Sequence, residues 1–257
     1  VSEAANLDFT PLSVDEALSR FDFTRAEDFP YSREWFGHCQ IKHNLYEYPT
    51  SDYVGALSLY LAKRVEEIRA QEAEQVRILE VAAGQGVLTL LLHKALTELG
   101  SAHSIRAVDD KSWRAPDRHP SIAESLDYGE AIKDMRPHII LGAWVPPSRK
   151  LSSGVDQDED WTTKFRSCPT TQEYLLIGKA SGYGRHASPQ AWGQRLDPLT
   201  LELVDEAVPE YAQEGFERID LKDLQPLQLC FMSTTDNLHP SETVVFRRTS
   251  RNSPEVV

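Results

Sequence analysis

One stretch constrains this chain more than any other: Ile78 to Thr89, which reads ILEVAAGQGVLT. A short apolar run meets two glycines at alternate positions, Gly84 and Gly86, and then a helix-like pattern runs from Val87 to Leu99. A buried strand that passes through a glycine turn into a helix lets backbone approach a ligand closely. The N–H groups at the start of the helix then point at that ligand. A dinucleotide-binding turn asks for G-x-G-x-x-G. Here Thr89 stands where the third glycine belongs, which disfavours a nicotinamide cofactor.

The pattern downstream continues in the same style. Ser104 to Asp109, Pro137 to Trp144 and Glu173 to Gly178 read as further strands. Upstream, Val54, Leu57, Leu61 and Val65 mark one face of a helix from Ser51 to Ala73. Strands alternating with helices predict a parallel sheet. A last helix is expected from Leu199 to Ala212, after a long loop from Gly182 to Pro198. The alternation then stops. Leu227–Met232 and Thr243–Arg247 read as two strands with only a loop between them, so they are expected to pair antiparallel.

Residues 1–50 read as an N-terminal extension, residues 51–248 as the main domain and residues 249–257 as a disordered tail. In the extension, Ser13 and Glu16 form a capping box before a short helix through Arg20. The segment Phe29–Phe36 is aromatic enough to pack on the main domain, as a lid or as a surface for a protein partner.

Composition narrows the function. The chain has 257 residues, 40% hydrophobic and 26% charged, with a formal net charge of −13. That is enough apolar material for a core without metal or disulfide staples. Polyanionic nucleic acid is usually held by a basic face, and no basic run here exceeds the pair Arg247-Arg248, so no direct nucleic-acid contact is expected. Cys39, Cys168 and Cys230 are odd in number and far apart, which suits a reducing compartment. His38, Cys39 and His43 lack a fourth ligand at any standard zinc spacing, so no metal is expected. No apolar run reaches the roughly 20 residues that span a bilayer. No signal-peptide pattern is present. The expected location is the cytoplasm, with the nucleus as the other candidate, and no membrane partner.

The turn resembles the first motif of the class I methyltransferases that use S-adenosylmethionine (SAM), E-x-G-x-G-x-G, with Glu80, Ala82, Gly84 and Gly86 at its positions. Alanine replaces the first glycine. The resemblance implies a three-layer α/β sandwich, with a mostly parallel seven-stranded sheet and a C-terminal antiparallel hairpin. It implies SAM as cofactor, with the glycine loop cradling the methionine part and Glu80 ordering that loop. Asp109, or else Asp110, would accept the ribose hydroxyls, and Trp113 would pack near the adenine. Asp127 and Tyr128 fall where the family presents an acid to the adenine amine. A lone Asp before a helix is more often an N-cap, the reading preferred for Asp127, and the two roles are compatible.

Gly142-Ala143-Trp144-Val145-Pro146-Pro147 lies at the ligand-binding strand edge of such sheets. Amino-group methyltransferases often carry N-P-P-Y there. This chain keeps only the proline pair, which puts that chemistry in doubt. Trp144, Pro146 and Pro147 are instead expected to wall the acceptor site, with Ala143 near the cofactor. Tyr46, Tyr48 and Tyr53 either line its mouth or pack the extension on the core. His38 and His43 are the only histidines placed to be considered as a base. The stretch from Asp160 to Arg166, followed by Gln172 to Gly178, is similar to a group of eukaryotic methyltransferase-like proteins of unassigned function. The expectation is a methyltransferase acting on a small molecule or a protein. The alternative is an inactive methyltransferase-like scaffold.

Overall fold

The computed structural model describes residues 9–72, 75–111, 121–145, 160–179, 189–197, 199–200 and 202–249. Its elements in chain order are α1 (Val14–Arg20), α2 (Arg33–Phe36), β1 (Glu47–Tyr48), α3 (Ser51–Glu72), β2 (Val76–Val81), α4 (Val87–Glu98), β3 (His103–Asp109), β4 (Glu124–Ser125) and α5 (Tyr128–Met135). They continue with β5 (Ile139–Ala143), α6 (Thr163–Ser167), β6 (Glu173–Gly178), β7 (Gln194–Leu196), β8 (Leu203–Asp205), α7 (Glu210–Gln213), β9 (Phe216–Asp220), β10 (Leu229–Cys230) and β11 (Glu242–Arg248).

Seven strands form the central sheet in the order β4-β3-β2-β5-β6-β11-β9. The first five run parallel, and β11 lies antiparallel to both β6 and β9. This is the sheet layout of the class I methyltransferase fold. The central strands read as apolar runs because helices cover both of their faces. Alternate residues go to opposite sides. Ile78, Ile139, Leu141, Leu175 and Ile177 pack under α3 and α4, against Leu57, Leu61, Leu92 and Leu96. Leu79, Val81, Ile140, Tyr174 and Leu176 pack under α5 and α6, against Ile132 and Phe165. The three layers follow from that alternation.

A third cluster sits at the C-terminal end of β5. Phe23, Trp35, Cys39 and Tyr48 of the N-terminal segment bury themselves with Trp144 and with Leu229, Cys230 and Phe231. β1 and β10 pair antiparallel there, and Trp35 Nε1 donates to the Cys230 carbonyl at 2.7 Å. The capping box is present: Ser13 and Glu16 satisfy each other's backbone N–H groups.

Two expectations fail. Leu199–Ala212 is not a helix. β8 pairs with β7 in a separate two-stranded sheet, and only Glu210–Gln213 is helical. The Asp197 carboxylate accepts from the backbone of Leu199 and Thr200, a local turn that competes with helix formation. β7, and a 3₁₀ turn over Pro189–Trp192, also occupy part of the expected loop; residues 182–188 and 198 of it lie outside the described residues. The second failure concerns the hairpin. The partner of β11 is β9, while β10 leaves the sheet to pair with β1. β9 is an edge strand carrying Glu217, Arg218 and Asp220, and charged edges hide the apolar signal of a strand. Of the expected tail, residues 250–257 lie outside the described residues.

Candidate functional site

Strands β2, β3 and β5 share one C-terminal edge, and each is followed closely by a non-glycine residue in left-handed backbone. These are Ala82 (φ 48°), Lys111 (φ 56°) and Trp144 (φ 52°). Such residues cost about 1–3 kcal/mol each and gather at functional sites. This edge is therefore where the fold concentrates its strain.

The glycine turn is built by two carboxylates. Glu80 lies on β2, almost wholly buried. Its Oε2 accepts from the Thr89 backbone N–H at 3.0 Å and from the Thr89 hydroxyl. Thr89 sits in the first turn of α4, so this pair ties helix start to strand and fixes the turn between them. Burial pushes the Glu80 carboxyl up to about 7, the Thr89 bonds hold it down in part, and the charge of Asp109 adds to the rise. Asp109 closes β3. Its Oδ2 accepts from Gly84 N at 2.9 Å, and its Oδ1 accepts from Lys111 N at 2.8 Å. An ionised carboxylate offers about four lone-pair sites, so Asp109 keeps capacity for further donors.

The two glycines do different work. A Cβ on Gly86 (φ 79°) would stand 2.6 Å from Ile122 Cγ1 and 3.3 Å from Ala123 N. That glycine is needed for packing. Among the described residues nothing lies within 4 Å of where a Cβ on Gly84 (φ 57°) would stand. The turn is open at Gly84, as a ligand cradle must be. Between them, Gln85 holds the loop before β4 through its carbonyl, which accepts from Ile122 N at 2.9 Å. Its side-chain Nε2 is buried without an acceptor among the described residues. Lys111 Nζ donates to the Gly84 carbonyl at 3.2 Å and to Ser121 Oγ at 2.9 Å. An open turn, an unused buried donor and a carboxylate with spare lone pairs fit the polar end and ribose of SAM.

The remaining expected residues divide. Asp127 is the N-cap of α5, accepting from Gly129 N and Glu130 N. Leu126 N donates to the Asp109 carbonyl at 3.2 Å, which brings that cap beside the end of β3. The Tyr128 ring carries the Lys164 ammonium 4.3 Å from its centroid. Asp110 is exposed. Ala143 ends β5, paired with Ile177. Trp113, Pro146 and Pro147 lie outside the described residues. Tyr48 is buried among Phe9, Trp35 and His38, and its hydroxyl accepts from Leu12 N at 3.3 Å. Tyr53 is buried too, bonded to Thr243. Of the three tyrosines, only Tyr46 lies over Trp144, ring centroids 6.3 Å apart. Burial holds the His38 imidazole down at about 4. Among the described residues no group of three or more His, Cys, Asp or Glu side chains is placed to hold a metal. No described helix is long and apolar enough to cross a membrane.

Sequence reasoning missed Glu47. This carboxylate of β1 is buried at the C-terminal end of β5. Trp144 Nε1 donates to its Oε2 at 2.8 Å, while Gln228 and Ser241 donate to its Oε1. Burial raises it to about 7, against the pull of those three bonds. Its only sequence signal was an acid set between two tyrosines. Thr89 and Lys111 were also missed as working residues, although both stand inside or next to a recognised motif.

No family model matches this sequence, and no curated protein sequence matches it. Among solved structures it is similar to a SAM-dependent methyltransferase from Agrobacterium tumefaciens, with a TM-score of 0.28 and 14% identity over 49% of this chain. That match spans 45% of the Agrobacterium chain, less than half its length. It is also similar to a SAM-dependent methyltransferase from Archaeoglobus fulgidus, with a TM-score of 0.33, 10% identity, and 74% and 94% of the two chains covered. A third is 1,6-didemethyltoxoflavin-N1-methyltransferase from Burkholderia thailandensis, solved with 1,6-didemethyltoxoflavin and S-adenosylhomocysteine bound. It has a TM-score of 0.29 and 12% identity, with 75% and 78% of the chains covered. Strand order and site geometry, rather than these distant likenesses, support the functional reading.

Proposed function

We propose that this chain is a SAM-dependent methyltransferase acting on a small molecule or a protein side chain. The observation that carries this reading is the open glycine turn framed by the Glu80–Thr89 and Asp109–Gly84 bonds. It lies at the C-terminal edge of a sheet with the class I methyltransferase strand order.

Bound SAM supplies a methyl group on a sulfonium, and its transfer is an in-line displacement. Catalysis of such a step comes largely from positioning. In this chain Asp109, with Asp110 beside it, is the partner for the ribose hydroxyls. The backbone at Gly84 and the Gln85 amide face the polar end of the cofactor. Asp127, Tyr128 and Trp113 are assigned to the adenine side. Ala143 and Trp144 are assigned to the acceptor wall, with Pro146 and Pro147 next to them in the sequence, and Glu47 holds the Trp144 indole in place. Tyr48 braces that wall from within the N-terminal cluster. Val145 stands where the amino-group enzymes place asparagine, which disfavours transfer to an amine of that type. The net charge of −13 favours a small-molecule or protein acceptor over nucleic acid.

A scaffold reading draws on two contacts. Ala82 carries left-handed backbone where the motif has glycine, and Lys111 Nζ rests on the Gly84 carbonyl. The experiment that separates them uses SAM labelled in its methyl group, offered with small-molecule and protein fractions. Transfer of label that disappears in Asp109→Ala supports the enzyme. Label that stays on SAM with every fraction, while a stable protein partner co-purifies, supports the scaffold.

A further inference from the structure

Three tryptophans from separate segments meet at the C-terminal ends of β5 and β6. Trp144, Trp161 and Trp192 line one recess together with Gly142 and Lys179. Glycines make space for the rings. A Cβ on Gly142 would meet the Trp161 ring at 3.1 Å, and one on Gly178 would meet the Trp144 ring at 3.4 Å.

The stretch from Asp160 to Arg166, singled out in the sequence, is the device that holds Trp161. Asp160 Oδ1 accepts from Thr162 N and its hydroxyl. Asp160 Oδ2 pairs with Arg166 Nη1 at 2.8 Å, and Arg166 Nε reaches Glu214 at 2.6 Å. The Phe165 ring braces the Trp161 ring edge-on at 5.3 Å. All this polar chemistry is spent within the stretch and on its neighbours. Trp161 itself is 6% exposed, and its indole N–H is buried without an acceptor among the described residues. A buried donor left unpaired is costly and calls for an explanation. The recess that Trp161 lines has a volume of about 10 Å³, room for one water-sized group.

We propose that the Trp161 recess receives one carboxylate oxygen of the methyl acceptor. The indole N–H supplies the hydrogen bond, Lys179 supplies the opposite charge, and the tryptophan rings around the recess strengthen both by keeping water out. Only the oxygen fits inside, so the body of the acceptor lies outside the recess. That this ligand is the methyl acceptor rests on the methyltransferase reading; the binding of a carboxylate does not.

The test follows the indole N–H signals of the ¹⁵N-labelled full chain, which has five tryptophans. Trp161→Phe identifies the Trp161 signal. Should that variant not fold, through-bond triple-resonance assignment of the unsubstituted chain identifies it. Benzoate is titrated, with toluene as the probe lacking oxygen, each with and without S-adenosylhomocysteine. The expected result is a saturable shift of the Trp161 signal by benzoate, at least ten-fold weaker in Lys179→Met and absent with toluene. A Trp161 signal that stays fixed, as a trapped water would leave it, overturns the proposal. So does a shift that toluene reproduces. S-adenosylhomocysteine reports separately on the cofactor: a benzoate shift without any response to it keeps the recess and removes the methyltransferase reading.

Discussion

Gly84 and Gly86 look alike in the sequence, yet they answer to different forces. Gly86→Ala drives a Cβ into Ile122 and the Ala123 backbone at a left-handed position. Overpacking and backbone strain together cost on the order of 3 kcal/mol, and denaturant unfolding will show the loss. Gly84→Ala meets only the backbone term, about 1–2 kcal/mol, but fills the open face of the turn. It is expected to weaken SAM binding more than it weakens the fold, and equal losses in both variants would contradict this division. Glu47 and Glu80 also make a joint prediction. Their ordinary value is near 4.5 and both are raised to about 7 by burial. Between those values the unfolded chain has released the protons and the folded chain keeps them. The folded state binds more protons, so stability falls as pH rises through that window. Each carboxylate contributes on the order of 3 kcal/mol to the fall. Glu47→Gln keeps the acceptor for Trp144 and removes its share. Unfolding curves from pH 5 to 8 are expected to be flatter in the variant, and parallel curves would overturn the assignment. None of this was legible for Glu47. Its burial depends on β10 and β11, remote in the chain, whereas Glu80 announces itself at a strand end before the glycine turn and Asp109 by closing a strand with a second acid after it.

At the scale of elements, legibility followed burial. β2, β5 and β6 are buried on both faces, so their apolar runs stand out. β9 shows one fully buried side chain in five and was hidden. β10 was read as a strand, but its partner β1 lies at the other end of the chain, a pairing no local pattern encodes. That ribbon docks the N-terminal segment on the end of β5. Trp35 is its anchor, with no exposed surface, rings of Phe21, Phe23 and Tyr48 around it, and a bond to Cys230. Trp35→Ala is expected to cost about 3–5 kcal/mol and to open the segment to protease before the sheet unfolds. Proteolysis that attacks sheet and segment together would show instead that the two unfold as one unit.

For the whole molecule, the strand order places β2, β3 and β5 side by side, so the residues after them converge although they are far apart in sequence. The alternation of strands and helices made the parallel sheet legible. The convergence of Glu47, Trp144 and Trp161 on its edge was not, because it depends on how loops and the N-terminal segment fold over that edge. Binding of the cofactor decides whether this edge is a methyltransferase site. Calorimetric titration of the purified chain with SAM and with S-adenosylhomocysteine is the most direct test. Micromolar binding of both, lost in Asp109→Ala while the circular dichroism spectrum is kept, is the predicted result. Absence of any binding heat at millimolar ligand, from a folded chain, would contradict it.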